Sequence, residues 1–562
     1  MEVKKFTILE GTNLKGINQL FYVLVSEKEQ KLLQSKLTSY EIICTDLGLK
    51  GEIIDEGFSN EGYEAWVSYD RYYICLYIVE SLLNGENEDE ISQIAWEKVK
   101  DDWSYELILR VKDEGIPVVM LSEQEIQIGY GINSLRVNKG VFKNDYLESI
   151  DEIIKEMKIK NNGLIPIISV TGTNGKTTTV RLIYTLLKNI GYSVGMASTG
   201  GIFIGDKNIK HGDTTGFYSA REVLKNNTVD VAVLETARGG IIKKGLGYEK
   251  CCVAIITSLS EDHIGMNGIE DLDGLGRVKA LIADDMIYGG KIIIRAIEPL
   301  VKLFTNREDI VLFDFEKNEF IIKHIELGGE AWYVEDGCIV LNKDGIEHEI
   351  INLQKIPFAH KGYSKGNVKN IIAALAAINT FYKDIQDVIA VLENLQCDIY
   401  TNAGRQNIIT IDDYKIILDY GHNAEAFEEV FYIAKSLNPS SITGIIAAAG
   451  DRRDEYIREL GTIAARYCNH IIIREQVERR GRSQGESPEI IKKGVMNTGF
   501  NSSKVEIILK EEEAIVYAMK KAIKDEVIVL FTQCLDVVIP AINNYLDSRG
   551  LKKIAEDIDL LH

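Results

Sequence analysis

Ser169 to Leu182 reads SVTGTNGKTTTVRL and joins an apolar run, Ile165 to Ile168, to a helix-forming one. Its residues have the chemistry of a phosphate cradle. Gly172 and Gly175 let backbone amides turn toward an anion, the helix that follows offers its positive end, Lys176 reaches β- and γ-phosphate oxygens, and Thr177 can ligate Mg2+. Thr173, Asn174 and Thr178 complete the loop. The strict spacing has another glycine at position 170, where this chain has valine, so the shorter G-T-N-G-K-T form rests on its context of strand before and helix after. The plain structural reading of the same residues is a Gly/Thr-rich turn with a surface lysine.

Two further strand ends carry polar groups. In VDVAVLETARGG the apolar run ends at Leu234 and Glu235 follows. The carboxyl ends of strands in an open α/β sheet form the ligand edge, so Glu235 is expected in the crevice of the loop, where a carboxylate can hold Mg2+. A capping or salt-bridging acid is the structural alternative. The run VAIITSL is followed by Ser260-Glu-Asp-His263, which puts His263 forward as a third contributor, against the reading of a structural histidine.

These residues need a scaffold. The chain has 562 residues, 45% hydrophobic and 27% charged, enough for about three or four cored domains. No apolar run reaches the ~18 residues of a membrane span, and MEVKKFTILEGTN lacks the apolar core of a secretory leader, so the expected location is cytoplasmic with no membrane partner. A net charge of -21 and a pI near 5.0 repel polyanions and exclude nucleic acid as an expected partner. The eight cysteines form no C-x-x-C pair and have no histidine pair at zinc spacing.

Residues 1–160 mix short strands (Phe6 to Leu9, Phe21 to Val25, Val118 to Leu121) with an apolar helical segment, Arg71 to Leu83, and a charged helix, Asp145 to Lys158. They read as a small α+β domain. Residues 161–395 alternate strands and helices, as a parallel-sheet domain covered on both faces does. Its strands are Ile165 to Val170, Val229 to Leu234, Val253 to Leu259 and Lys291 to Ile294, with helices from Lys176 and over Leu272 to Ala283. Residues 396–562 place strands at Asn407 to Ile411, Lys415 to Leu418, Ile442 to Ala447, His470 to Ile473 and Val527 to Phe531, a Rossmann-like α/β domain. The fold class is therefore α/β: a central P-loop parallel-sheet domain, a C-terminal Rossmann-like domain and a small N-terminal α+β domain. The basic run Arg479, Arg480, Arg482, with Arg452 and Arg453 in GDRRDE, is a candidate clamp for a carboxylate-rich substrate or a phosphate; a solvated charge run is its plain reading.

The G-T-N-G-K-T loop, the strand-end Glu235, the Asp262-His263 pair and Lys279 in GRVKALIA resemble the ATPase core of the Mur ligase superfamily. GNVKNIIAALAA (Gly366 to Ala377), AGRQN (Ala403 to Asn407) and DYGHN (Asp419 to Asn423) resemble its later boxes in the same order. LETARGGI (Leu234 to Ile241), AAAGDRRDEYIRELG (Ala447 to Gly461) and ERRGRSQGE (Glu478 to Glu486) narrow the resemblance to the Mur-like half of cyanophycin synthetase. GIPVVMLSEQEIQIGYG (Gly115 to Gly131) and LEGTNLKGIN look like its amino-terminal domain. That family places an ATP-grasp domain between those parts, for which the stretch from Gly131 to Gly172 is too short.

The resemblance implies an ADP-forming, ATP-dependent amide ligase that works through an acyl phosphate. Lys176, Glu235, His263 and Lys279 would be catalytic; Thr177, Glu235 and His263 would hold Mg2+. Lys279 matches a lysine that is carbamylated in many Mur ligases. Arg405 would reach the ATP phosphates, Asp419 and His422 would sit near the nucleotide, and Asn370, with Asn367, by the adenine. Thr214, Thr215 and Ser219 match the substrate loop. The implied partners are an acidic peptide or amino acid and an amine donor, a basic amino acid by resemblance, and a homo-oligomer is compatible. A cell-wall or pseudomurein-type peptide ligase is the near alternative, and a P-loop ATPase or phosphotransferase the alternative of another class. Two departures stand out: Arg295-Ala-Ile-Glu298-Pro replaces the usual asparagine and paired aspartates, and Lys365-Gly366-Asn367 replaces glycine-histidine-asparagine.

Overall fold

The computed structural model describes residues 1–17, 19–142, 146–260, 269 and 271–555. The chain divides into two compact units, Met1–Val180 with Gly191–Val311, and Arg181–Ile190 with Leu312–His562. Among the described residues no helix is long and apolar enough to cross a membrane.

The first unit opens with a four-stranded antiparallel sheet of β1 (Val3–Leu9), β2 (Leu20–Val25), β3 (Ile53–Ser59) and β4 (Gly62–Ser68), in the order β1-β2-β4-β3. Phe21, Val23, Ala65 and Val67 point from alternating positions of β2 and β4 into a core shared with the helices Gln30–Asp46 and Tyr72–Asn84. A small antiparallel sheet follows: β5 (Val118–Ser122), β6 (Glu125–Ile128) and β7 (Leu135–Asn138).

The rest of this unit is a larger sheet made of β8 (Ile167–Thr171), β9 (Val194–Ser198), β10 (Gly201–Ile204), β11 (Lys207–Lys210), β12 (Val231–Glu235), β13 (Cys251–Ile256) and β14 (Met286–Arg295). The order is β11-β10-β9-β12-β8-β13-β14, parallel from β9 to β14 and antiparallel at the β10 and β11 edge. β8, β12 and β13 are buried along their whole length, which is why they read as unbroken apolar runs rather than alternating ones. The amino-terminal sheet is tied to this one through backbone bonds from Glu10 N to Lys244 O (3.2 Å) and Leu246 N to Thr12 O (3.0 Å).

β15 (Ile310–Glu316) carries the chain from the first unit into the second. There β16 (Glu330–Glu335), β17 (Cys338–Lys343) and β18 (Ile346–Asn352) form an antiparallel meander. Beyond the helix Lys365–Phe381 lies a six-stranded sheet of β19 (Asn407–Ile411), β20 (Tyr414–Asp419), β21 (Ser441–Ile446), β22 (His470–Ile473), β23 (Val505–Ile507) and β24 (Glu526–Phe531), in the order β19-β20-β24-β21-β22-β23. Only β19 is antiparallel. Ile417, Val527 and Val529 feed one core and Ile416, Leu418, Ile528 and Leu530 the other, so a period of two divides each strand between the two faces.

Candidate active site

Three adjacent strand ends build the site in the first unit. β8 is flanked by β12 and β13, with Val170 opposite Glu235 and Thr171 opposite Ile256. The loop leaving β8 turns at Gly172 (φ 150) and Gly175 (φ 86) and enters the helix Lys176–Asn189. A Cβ on Gly172 would lie 2.0 Å from Thr257 Oγ1, so only glycine lets the loop pass this close to the end of β13.

That neighbour fastens the loop. Thr173 N donates to Ser258 O (3.1 Å), Asn174 N to Ser258 Oγ (2.7 Å), and Thr257 Oγ1 to Asn174 O (2.5 Å). Lys176 Nζ folds back onto the carbonyls of Gly172 (3.0 Å) and Thr173 (3.1 Å), a position from which a few side-chain torsions carry it toward a phosphate in the cradle. Neither Thr257 nor Ser258 figured in the sequence reading. Their signal was there, two hydroxyl residues directly after a buried strand whose neighbour carries the glycine loop.

Glu235 is the last residue of β12 and is 3% exposed. Thr177 Oγ1 donates to its Oε1 (3.2 Å), and Thr199 gives its Oε2 both a backbone N–H and a hydroxyl (3.2 Å each). Thr177 and Thr199 hydroxyls lie 2.8 Å apart. The structure thus joins Thr177 to Glu235, as their positions at one sheet edge require, and adds Thr199, which the sequence reading missed although it follows β9 at the same edge. A hydroxyl beside a single carboxylate suits Mg2+, which takes one or two protein oxygens and fills its octahedron with water and phosphate oxygens. His263 lies outside the described residues. Lys279 is 4% exposed on the helix Leu272–Ala280. Thr178, 6% exposed, continues the helix begun at Lys176.

The residues expected in a substrate loop are buried. Thr214 (2% exposed) donates its hydroxyl to Ser198 O at 2.7 Å. Thr215 Oγ1 donates to Asp213 Oδ1 at 2.8 Å. Ser219 (8% exposed) lies on the helix Phe217–Leu224.

The second unit carries its own cluster. Asp419, at the end of β20 and 6% exposed, accepts from Gln406 N (2.9 Å) and Gly421 N (2.6 Å). Burial pushes its carboxyl up to about 6, although the Arg405 charge and the two backbone donors pull the other way. Arg405 lies over the Tyr420 ring at 4.2 Å, and His422 meets that ring edge-on at 5.9 Å. Two sequence-predicted residues, Arg405 and His422, therefore flank Tyr420. Asn370 Nδ2 reaches Asn367 Oδ1 at 3.5 Å, and Asn367, 3% exposed, spends its amide on Phe358 O at 3.1 Å.

Arg482 pins two loops. It donates to Gly450 O (2.7 Å) and Arg452 O (2.8 Å) and pairs with Asp454 (2.8 Å) and Glu486 (2.9 Å). Arg480 pairs with Asp451 (3.1 Å) and Arg479 with Glu475 (3.3 Å). Arg453 stands at the start of the helix Asp454–Tyr467.

The Mur ligase middle domain matches residues 170–378, and the domain described as Mur ligase, glutamate ligase domain, matches 404–534. The chain belongs to the Mur ligase family. It is 33% identical over 397 residues to a cyanophycin synthetase of Nostoc sp., across 70% of this chain and 44% of that one. To the cyanophycin synthetase of Geminocystis herdmanii it is 35% identical over 384 residues, 68% of this chain and 44% of the relative. The chain thus spans less than half the length of these curated relatives. A UDP-N-acetylmuramoyl-L-alanyl-D-glutamate–2,6-diaminopimelate ligase of Helicobacter pylori is 25% identical over 378 residues, 65% of this chain and 78% of that Mur ligase. Among solved structures, E. coli FolC in complex with DHPP and ADP aligns with a TM-score of 0.49 at 17% identity, over 68% of this chain and 89% of FolC. The family expected from the ordered boxes is the one found.

Proposed function

We propose that this Mur ligase family member is an ATP-dependent, ADP-forming carboxylate–amine ligase that joins a basic amino acid to an acidic peptide or an aspartate side chain. The observation that carries the reading is the phosphate loop fastened to β13, with Thr177 bonded to Glu235 at the same sheet edge. In this reading the loop amides and the Lys176 ammonium hold the γ-phosphoryl group while a substrate carboxylate oxygen attacks its phosphorus and ADP departs. The amine then attacks the acyl carbon and phosphate leaves. Chemistry of this kind asks for alignment and charge neutralisation rather than a protein nucleophile. Thr177 and Glu235, with His263, would hold Mg2+, which when bound supplies charge neutralisation between the phosphates.

In the second unit, Arg405 supplies a guanidinium for phosphate oxygens, and Asp419 and His422 stand beside it. The loops joined by Arg482 alternate in sign, with Asp451, Glu475 and Glu486 among the arginines. Such a surface suits two substrates of opposite charge. Similarity to cyanophycin synthetases supports the acidic acceptor and the basic donor. The three proposed domains, 1–160, 161–395 and 396–562, would supply in turn an accessory domain, the phosphate site and the later nucleotide and substrate contacts.

The test is ADP and phosphate release with Mg2+ across a matrix of aspartate- or glutamate-containing peptides and free amino acids, with Lys176→Ala as the blank and mass spectrometry on active wells. The proposal requires turnover that depends on both an acid and an amine, with a product heavier by the amine less water. ATP hydrolysis indifferent to both would replace it with an ATPase, and turnover only with a muramyl peptide would move it to the cell-wall class.

A further inference from the structure

The first unit contains a second cavity of about 470 Å3, and no residue of the phosphate loop lines it. Its walls come from the turn at Asp70–Tyr73, the helix Tyr105–Asp113, β5 and the helix Phe217–Leu224. They are held together by buried bonds: Gln127 Nε2 donates to Leu224 O (3.0 Å), and Ile132 N donates to Val229 O (3.0 Å).

Two arginines line it. Arg71 stacks on the Tyr105 ring at 3.6 Å and pairs with Asp102 Oδ2 at 3.6 Å. Arg221 donates to Val118 O at a long 3.4 Å and lies over Phe217. Among the described residues no carboxylate pairs with Arg221. Native proteins seldom bury an arginine without a paired acid. Arg221, without a paired acid among the described residues, points to an acceptor that comes from outside.

The rest of the lining narrows its chemistry. A carboxylate matches the guanidinium fork with two parallel bonds. Tyr72, Tyr105 and Tyr218 offer ring faces to an aliphatic stem, and Glu10 and Glu249 add negative charge to the same cavity. Lys112, 3.8 Å from Glu249, lines the same cavity, so the site offers both signs of charge.

We propose that this cavity binds a zwitterionic amino acid or dipeptide, its carboxylate on Arg71 and Arg221 and its cationic group toward Glu10 and Glu249. The site goes beyond the ligase reading and does not depend on it. The helix Phe217–Leu224 carries both Arg221 and Ser219, so the occupant would rest on the helix that continues the Thr214–Thr215 loop.

The experiment is calorimetric titration of the full chain with L-aspartate, L-arginine and L-aspartyl-L-arginine, then with the carboxamides of any that bind, and with inorganic phosphate. Binding by one of the three is expected to survive Lys176→Ala. It should weaken about tenfold or more in Arg221→Met and in Arg71→Met, less in Arg221→Lys, and comparably when the ligand carboxylate is amidated. Tyr218→Ala, at a 59% exposed wall position, is expected to weaken binding with an unchanged melting temperature and keeps the test readable if an arginine variant misfolds. No binding by any of the three, binding indifferent to Arg221→Met, or phosphate binding more tightly than every carboxylate would each overturn the proposal. Loss of ligase turnover in Lys176→Ala with binding intact separates this site from the phosphate loop.

Discussion

Glu235→Gln is the substitution that asks most of the phosphate site. The carboxylate accepts three hydrogen bonds, all of 3.2 Å. Charge-assisted bonds to a carboxylate run at about 2.7–2.9 Å. At 3.2 Å Glu235 is oriented rather than saturated, and its charge remains available to a cation. Glutamine keeps the shape. With its carbonyl oxygen toward the Thr199 N–H, its amide faces Thr177, whose hydroxyl rotates from donor to acceptor. The expected cost in stability is therefore about 1 kcal/mol or less.

Activity should behave differently. A neutral amide is a poor ligand for a hard cation, so turnover is expected to fall by about 10²- to 10³-fold, the scale of losing one preorganised charge-stabilising group, and the Mg2+ concentration for half-maximal rate should rise. Glu235→Ala is the contrast, since it strands the Thr199 N–H and leaves a void, at a cost of roughly 2–4 kcal/mol. The assay is coupled ADP release over a Mg2+ titration, with thermal unfolding in parallel. A glutamine variant that turns over within about threefold of the parent at every Mg2+ concentration would remove Glu235 from the metal site, whatever its stability.

Gly172→Ala should abolish nucleotide binding in an equilibrium titration while the far-UV spectrum stays that of a folded chain, because its Cβ meets Thr257 Oγ1 at 2.0 Å and the loop must leave β13; wild-type affinity would show that the cradle is not set by this approach. Asp419 gives a pH signature in stability. Its folded carboxyl titrates near 6 against an ordinary 3.8, so across that window the folded state holds a proton the unfolded chain has released, and stability falls as pH rises, by about 3 kcal/mol at most, levelling above 6. Asp419→Asn should lack that slope in urea unfolding, and a wild-type slope of opposite sign would mean a depressed carboxyl. For Lys279, intact-mass spectrometry in bicarbonate should find an added CO2, and activity should drop on its removal; an unmodified, fully active chain refutes carbamylation. Arg482→Ala frees the Gly450 and Arg452 carbonyls and is expected to raise KM for the substrates several-fold with little change in ATP affinity, measured by steady-state kinetics.

The glycine-rich loop after β8 was legible because its residue types are dictated locally: glycines where the backbone must turn, a lysine and a threonine at a helix start. The strand limits around it were less so. The run expected over Val253 to Leu259 stops at Ile256: Thr257 N still donates to Thr171 O at 2.9 Å, but the side chains of Thr257 and Ser258 turn to the loop of β8. Glu235, read as following its strand, is its last residue, paired opposite Val170. Both shifts come from long-range partners that no window of sequence contains. The meander β16 to β18 was missed for a different reason, since its signal is local: Asp336-Gly337 and Asp344-Gly345, all at positive φ, are two-residue hairpin turns between apolar runs. The expectation of a parallel, helix-alternating sheet simply outweighed it.

Valine at position 170 is the one mismatch to the strict phosphate-loop spacing, and its surroundings account for it. Val170 is fully buried in β8 between Glu235 on β12 and Ile255 on β13, so the strand, and not the loop, occupies the position where the longer motif begins its turn. A glycine there would weaken a central strand and contribute nothing to the cradle. The turn starts two residues later, at Gly172, and the hydroxyls of Thr257 and Ser258 fasten the shortened loop to the neighbouring strand. The short motif therefore depends on β13: Ser258→Ala, which removes the acceptor of Asn174 N, should weaken nucleotide affinity by about tenfold while leaving Lys176 and both glycines in place, and an unchanged affinity in the same titration would show that the loop holds its shape alone.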